Sequence, residues 1–127
     1  MIHPALYIYH TDKKGRGVFT REKIDQGAEV ETAPVIVMTW EEKKLLDQTL
    51  LHDYIFEWGE DKKQCAMALG WVALYNHSYQ SNCEYEMDFE AQTISIKTVR
   101  VIEAGEELCV NYNGNWNDGN KIWFEAR

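Results

Sequence analysis

The chain has 127 residues, 45% of them hydrophobic, which suits one compact domain with a core of its own. Its net charge of −8 and pI near 4.9 argue against a phosphate-backbone binder, which needs clustered Lys and Arg, and favour encounter with basic partners over nucleic acid. No apolar run approaches the roughly 20 residues that cross a bilayer, and Met1 to His10 shows no secretion signal, so we expect a soluble intracellular protein, cytoplasmic or, in a eukaryotic host, nuclear, with no membrane contact.

Short strands dominate the expected elements. Leu6-Tyr7-Ile8-Tyr9 is β-prone, Gly15-Arg16-Gly17 punctuates the chain, and Val18-Phe19 resumes it. After a turn at Asp25-Gln26-Gly27, Glu29 to Thr32 reads as a strand and Val35 to Met38 as a second one, with Pro34 separating them because a mid-strand proline loses a ladder hydrogen bond. Thr39 with Glu42 three residues on forms a capping box for a helix carrying Leu45, Leu46 and Leu50. A second helix is expected over Lys62 to Leu74, from its Ala, Met and Leu content, weakened by Gly70. Thr93-Ile94-Ser95-Ile96-Lys97 alternates as a half-buried strand does.

Ile24-Asp25-Gln26-Gly27-Ala28-Glu29-Val30 echoes Ile102-Glu103-Ala104-Gly105-Glu106-Glu107-Leu108, and both read as a glycine turn entering a strand. The three cysteines, Cys65, Cys83 and Cys109, form no CxxC pair and have no histidine at zinc-ligand spacing; they are expected to be buried, reduced thiols, with no metal site.

Three segments have chemical potential, and each is weak alone. Lys14-Gly15-Arg16-Gly17-Val18-Phe19 lets backbone approach a ligand, yet lacks the third glycine and the helix of a dinucleotide fingerprint. Tyr75-Asn76-His77-Ser78, with Ser81-Asn82-Cys83 behind it, puts polar groups directly after an apolar stretch. Gly105-Glu106-Glu107-Leu108-Cys109-Val110-Asn111-Tyr112 ends a strand on a phenol that can donate or accept a hydrogen bond.

In that order along the chain, Gly-x-Gly-Val-Phe, Asn-His-Ser-x-x-x-Asn-Cys and Gly-Glu-Glu-Leu-x-x-x-Tyr together resemble the SET domain of protein lysine methyltransferases, from about Tyr7 to Trp116. The resemblance implies a mostly β fold with short helices, a β-clip-like set of small curved sheets. In it the C-terminal segment threads as a pseudoknot that joins Asn76-His77-Ser78 to Glu107 through Tyr112. The chain then reads as a single domain over 1–127, with a core of about 7–116 and a short aromatic tail, 117–127.

The resemblance also implies S-adenosylmethionine as cofactor, held by Lys14, Gly15, Arg16, Gly17, Asn76, His77, Tyr112 and Trp116. Tyr112 matches the active-site tyrosine, and Tyr54 and Tyr85 look like aromatics of the channel that admits the substrate lysine. The implied reaction is methyl transfer to a lysine of a Lys-rich protein or peptide, such as a histone tail. Nothing after Cys109 can form the zinc-binding cysteine cluster that closes the channel in many relatives. Trp116, Trp123 and Phe124 are therefore expected to cover the site, or to pack on the core or on a second copy in a homodimer. The competing readings are a catalytically inactive SET fold that binds a peptide, and a metal-dependent hydrolase around His77 that has no ligand spacing behind it.

Overall fold

The computed structural model of the protein describes residues 1–112 and Gly119. The expectations for Trp116, Trp123 and Phe124 fall outside the described residues. The strands are β1 (Leu6–Thr11), β2 (Gly15–Thr20), β3 (Glu29–Met38), β4 (Ile55–Trp58), β5 (Gln64–Ala68), β6 (Asn76–His77), β7 (Cys83–Asp88), β8 (Thr93–Thr98) and β9 (Glu107–Val110). They are hydrogen-bonded in the order β1-β2-β9-β7-β8-β3-β5-β4, with β6 pairing β9 in parallel. The core runs along this path, through Val18, Val30, Ile94, Ile96, Ile102 and Leu108.

The first hairpin closes where the sequence punctuates it. Gly15 takes φ +70°, and the Thr11 hydroxyl accepts from Lys14 N–H and donates to the Gly15 carbonyl. The two echoing heptapeptides face each other. Ile24 and Ile102 exchange both backbone hydrogen bonds, at 2.8 and 2.9 Å. The turn glycines bond crosswise, Gly27 N–H to the Thr98 carbonyl and Gly105 N–H to the Thr20 carbonyl. The repeat in sequence is thus a local two-fold in space, with φ of +79° at Gly27 and +89° at Gly105, a backbone region that glycine occupies without steric cost.

Two expectations need correction. Pro34 does not divide two strands: Glu29–Met38 is one strand that changes partners at the proline. Glu29 to Pro34 pair with β8, whereas Val35 to Met38 pair with β5. Because Pro34 sits at the handover, its missing N–H leaves no gap in a continuous ladder, and its carbonyl still accepts from Leu69 N–H. The second helix is also wrong. Gln64–Ala68 is a strand lying between β3 and β4, and only Val72–Leu74 forms a 3₁₀ turn. A short apolar run does not reveal its period, and pairing on both edges overrides the helix preference of Ala and Met.

The helix α1 (Trp40–Leu46) has the expected Thr39–Glu42 capping box. It ends before Leu50, which belongs to a 3₁₀ turn, Leu50–Tyr54. Leu45 and Leu50 are exposed rather than core. Asp47 ties the two elements together, 2.9 Å from Lys43 Nζ and 2.8 Å from His52 Nδ1. The three cysteines are buried and free of disulfides, and burial, then Glu107, pushes the Cys109 thiol up to about 11.

Candidate active site

Tyr112 follows β9, the strand that the Gly-Glu-Glu-Leu turn launches into the middle of the sheet. β6 lies parallel to β9, with Asn76 beside Cys109 and His77 beside Val110. This pairing joins the two segments that the sequence separates by some thirty residues. Asn82 reinforces it from within the core. Its side chain accepts from Cys109 N–H and donates to the Glu107 carbonyl, both at 2.8 Å, so that it replaces a strand neighbour along β9.

Every polar group of Tyr112 is engaged. Its N–H donates to His77 Nδ1 at 3.1 Å, its carbonyl accepts from the Tyr85 hydroxyl at 3.2 Å, and its own hydroxyl donates to the Tyr75 carbonyl at 2.7 Å. With Nδ1 accepting, a neutral His77 carries its proton on Nε2. Burial, followed by the neighbouring Cys109, Tyr54, Glu107 and Asp53, raises the Tyr112 phenol well above its ordinary range. Tyr85 is pushed up to about 12, by burial first and then by Glu57. Both phenols therefore stay protonated at neutral pH and act as hydrogen-bonding groups, not as bases.

Asn76 projects onto the first hairpin. Its amide donates to the Arg16 carbonyl at 3.1 Å and to Glu107 Oε2 at 2.7 Å. Gly17 is buried under that pair, since a Cβ there would collide with Glu107 Oε2 and stand 3.0 Å from Asn76 Nδ2. The glycine is needed for close packing against protein groups, a reason that the motif alone does not disclose.

Two cavities open on either side of Tyr112. One, of about 480 Å³, is lined by Lys14, Arg16, Leu74, Asn76 and His77. The other, of about 410 Å³, is lined by aromatic and apolar side chains, among them Phe56, Tyr85, Met87 and Phe89, and by charged ones that include Asp47 and Glu57. Asp53, Tyr54, Ala73 and Tyr112 line both. Of the residues expected from sequence, Lys14, Arg16, Asn76 and His77 thus meet in one cavity and Tyr85 in the other, with Tyr54 and Tyr112 on their common wall. Gly15 and Gly17 do not line either cavity, and Trp116 is outside the described residues. Sequence reasoning missed Asp53, Ala73 and Phe56, whose places depend on the 3₁₀ turns and on β4. Among the described residues, no group of three or more His, Cys, Asp or Glu could hold a metal ion, and no helix is long and apolar enough to cross a membrane.

This arrangement, two cavities meeting at a tyrosine that follows a pair of parallel strands, agrees with the family match: residues 15–113 fit the SET domain model. The chain belongs to the SET-domain family of lysine methyltransferases. It is 36% identical, over 126 residues, to a Schizosaccharomyces pombe histone-lysine N-methyltransferase specific for H3 lysine-37; the match covers 98% of this chain and 80% of the relative. Its fold matches that of a candidate Plasmodium falciparum histone methyltransferase of known crystal structure with a TM-score of 0.65 at 24% identity, covering 91% of this chain and 98% of that one.

Proposed function

We propose that the chain transfers a methyl group from S-adenosylmethionine to a lysine side chain of a histone, across the wall that Tyr112 and Tyr54 share between the two cavities. The observation that carries this reading is the presence of both tyrosines on both cavities. A methyl donor on one side and an amine on the other would meet there.

The cavity lined by Lys14 and Arg16 fits the cofactor in size and chemistry. Its volume lies within the range of small-molecule sites, and Lys14 and Arg16 offer cations to a carboxylate while Asn76 and His77 offer polar groups. When bound, the cofactor supplies an electrophilic methyl on a sulfonium. The aromatic cavity suits the aliphatic stem of a lysine. Asp47, Asp53 and Glu57 on the same cavity attract the ammonium form, whereas burial against the aromatic side chains disfavours it; a lysine with a pKa of about 10.4 must lose its proton before it can attack. With the cofactor held by Lys14, Arg16, Asn76 and His77, the amine lone pair would form the carbon–nitrogen bond while the carbon–sulfur bond broke to leave a neutral thioether, and the proton given up by the lysine would pass to water. Tyr112 contributes position: its hydroxyl is already fixed on the Tyr75 carbonyl. Alignment of this kind can supply several kcal/mol, up to roughly 7–11 in the best cases.

The histone assignment rests on the yeast relative, whose stated specificity makes histone H3 the first substrate to test and its lysine-37 the first position to examine. The test is labelled-methyl transfer to recombinant histones, with calorimetry of S-adenosylmethionine on wild type and Asn76→Ala. Saturable binding that the substitution weakens, with label on a histone lysine, supports the reading. A folded protein that binds no cofactor would sink it in favour of a peptide-binding module.

A further inference from the structure

Glu31 is a carboxylate in the middle of the core, with no exposed surface. It lies on β3 between Val30 and Thr32, and lines neither cavity. Its two oxygens are both used: Oε2 accepts from Trp71 N–H at 2.7 Å, and Oε1 accepts from the Tyr75 hydroxyl at 2.9 Å. One side chain therefore grips both ends of the segment from Trp71 to Tyr75. The chain bends around it closely, since a Cβ on Gly70 would stand 2.5 Å from Oε2.

That segment contributes to the wall between the cavities. Ala73 lines both, Val72 one and Leu74 the other. Its last residue, Tyr75, gives its hydroxyl to Glu31 and its carbonyl to the Tyr112 hydroxyl, at 2.7 Å. An apolar side chain of similar volume would fill a core position without desolvating a charge, so a structural role does not require a carboxylate. A carboxyl group supplies a separate acceptor oxygen for the Trp71 backbone amide and for the Tyr75 phenol.

We infer that Glu31 is a positioning residue for methyl transfer, acting through Tyr75 to hold the carbonyl on which the Tyr112 hydroxyl is aligned. This inference rests on the proposed role of Tyr112. It also explains why the first residue before the Asn76-His77 pair is a tyrosine: a phenylalanine would fill the same buried space and leave one carboxylate oxygen without its donor.

The experiment is single-turnover methyl transfer by the full chain to histone H3 at saturating cofactor and substrate. Wild type, Tyr75→Phe, Glu31→Gln, Glu31→Leu and Tyr112→Phe are compared, with the Tyr75→Phe/Tyr112→Phe double variant. Each is assayed well below its own Tm. Tyr75→Phe is expected to slow transfer by about five- to tenfold, the size of one lost alignment contact, with the KM for the cofactor unchanged. Glu31→Gln, which keeps an acceptor for one donor, should retain more rate than Glu31→Leu. In the Tyr112→Phe background the hydroxyl that reads the Tyr75 carbonyl is gone, so Tyr75→Phe should slow the reaction no further. Equal slowing in both backgrounds, or no slowing in either, overturns the inference and leaves Glu31 a packing residue. A Tyr112→Phe enzyme with wild-type rate overturns the reading of Tyr112, and the relay with it. Should Glu31→Leu fail to fold, the cycle with Tyr75→Phe still decides the question.

Discussion

Asn76 and Glu107 are joined by a 2.7 Å hydrogen bond that lies directly over Gly17. The contact links three segments far apart in sequence: the first hairpin, β6 and β9. It sets the height of the Asn76 amide above the hairpin, and so the shape of the cavity that Lys14 and Arg16 also line.

Gly17→Ala should therefore damage the cavity more than the fold. The atom its Cβ meets is the tip of the Glu107 side chain, which can swing away at the expense of Asn76. S-adenosylmethionine affinity should fall about tenfold, the loss of roughly one charge-assisted hydrogen bond, with little change in Tm. Gly105→Ala is the contrast. Its φ of +89° is strained for alanine, but nothing stands within 4 Å of the new Cβ. It should cost about 1–2 kcal/mol of stability and leave cofactor binding alone. Calorimetry and thermal melts on the two variants separate the cases.

Asn82→Ala should act in the opposite way. The side chain is buried and serves β9 through two 2.8 Å hydrogen bonds. Its loss strands a backbone N–H and a carbonyl in the core, at a cost of about 2–4 kcal/mol. Denaturant unfolding should show the loss. Activity per folded molecule should survive in whatever fraction still folds.

The pH dependence of turnover should belong to the substrate. Burial keeps the Tyr112 phenol protonated to well beyond neutral pH, so its ionisation cannot limit the rate there. Turnover should rise with pH as the lysine amine, with a reference pKa of about 10.4, loses its proton. Tyr112→Phe should lower the rate without moving the profile. An inflection near neutral pH that vanishes in Tyr112→Phe would contradict this.

Glu31 should leave a mark on stability as a function of pH. Burial raises its carboxyl above the ordinary 4.5, while the hydrogen bonds from Trp71 and Tyr75 oppose the shift. A group raised on folding helps most when protonated. Its contribution is complete below the unfolded value and is lost as pH rises through the folded one. Wild type should therefore compare best with Glu31→Gln near pH 4, and the difference should move in favour of the glutamine as pH approaches 7. Paired melts across that range give the slope, and a wild-type advantage that grows with pH would refute the sign.

Local chemistry made much of this protein legible before any tertiary contact was known. The Thr39–Glu42 capping box, the glycine turns at Gly27 and Gly105, and the alternation of Thr93 to Lys97 all act within a few residues, and all are found in the structure. The motifs at Asn76-His77-Ser78 and Gly105 to Tyr112 carried the family for the same reason, since spacing along a chain is a sequence property. The tertiary structure decided what depends on neighbours. Gln64–Ala68 became a strand because β3 and β4 offered it hydrogen bonds on both edges, and Pro34 stayed inside a strand because the partner changes there. Nothing local in the sequence sets Glu31 apart from the other acids of the chain. Only the approach of Trp71 and Tyr75, across forty residues of sequence, gave that buried charge its donors, and a carboxylate left without them in the core would be too costly to keep.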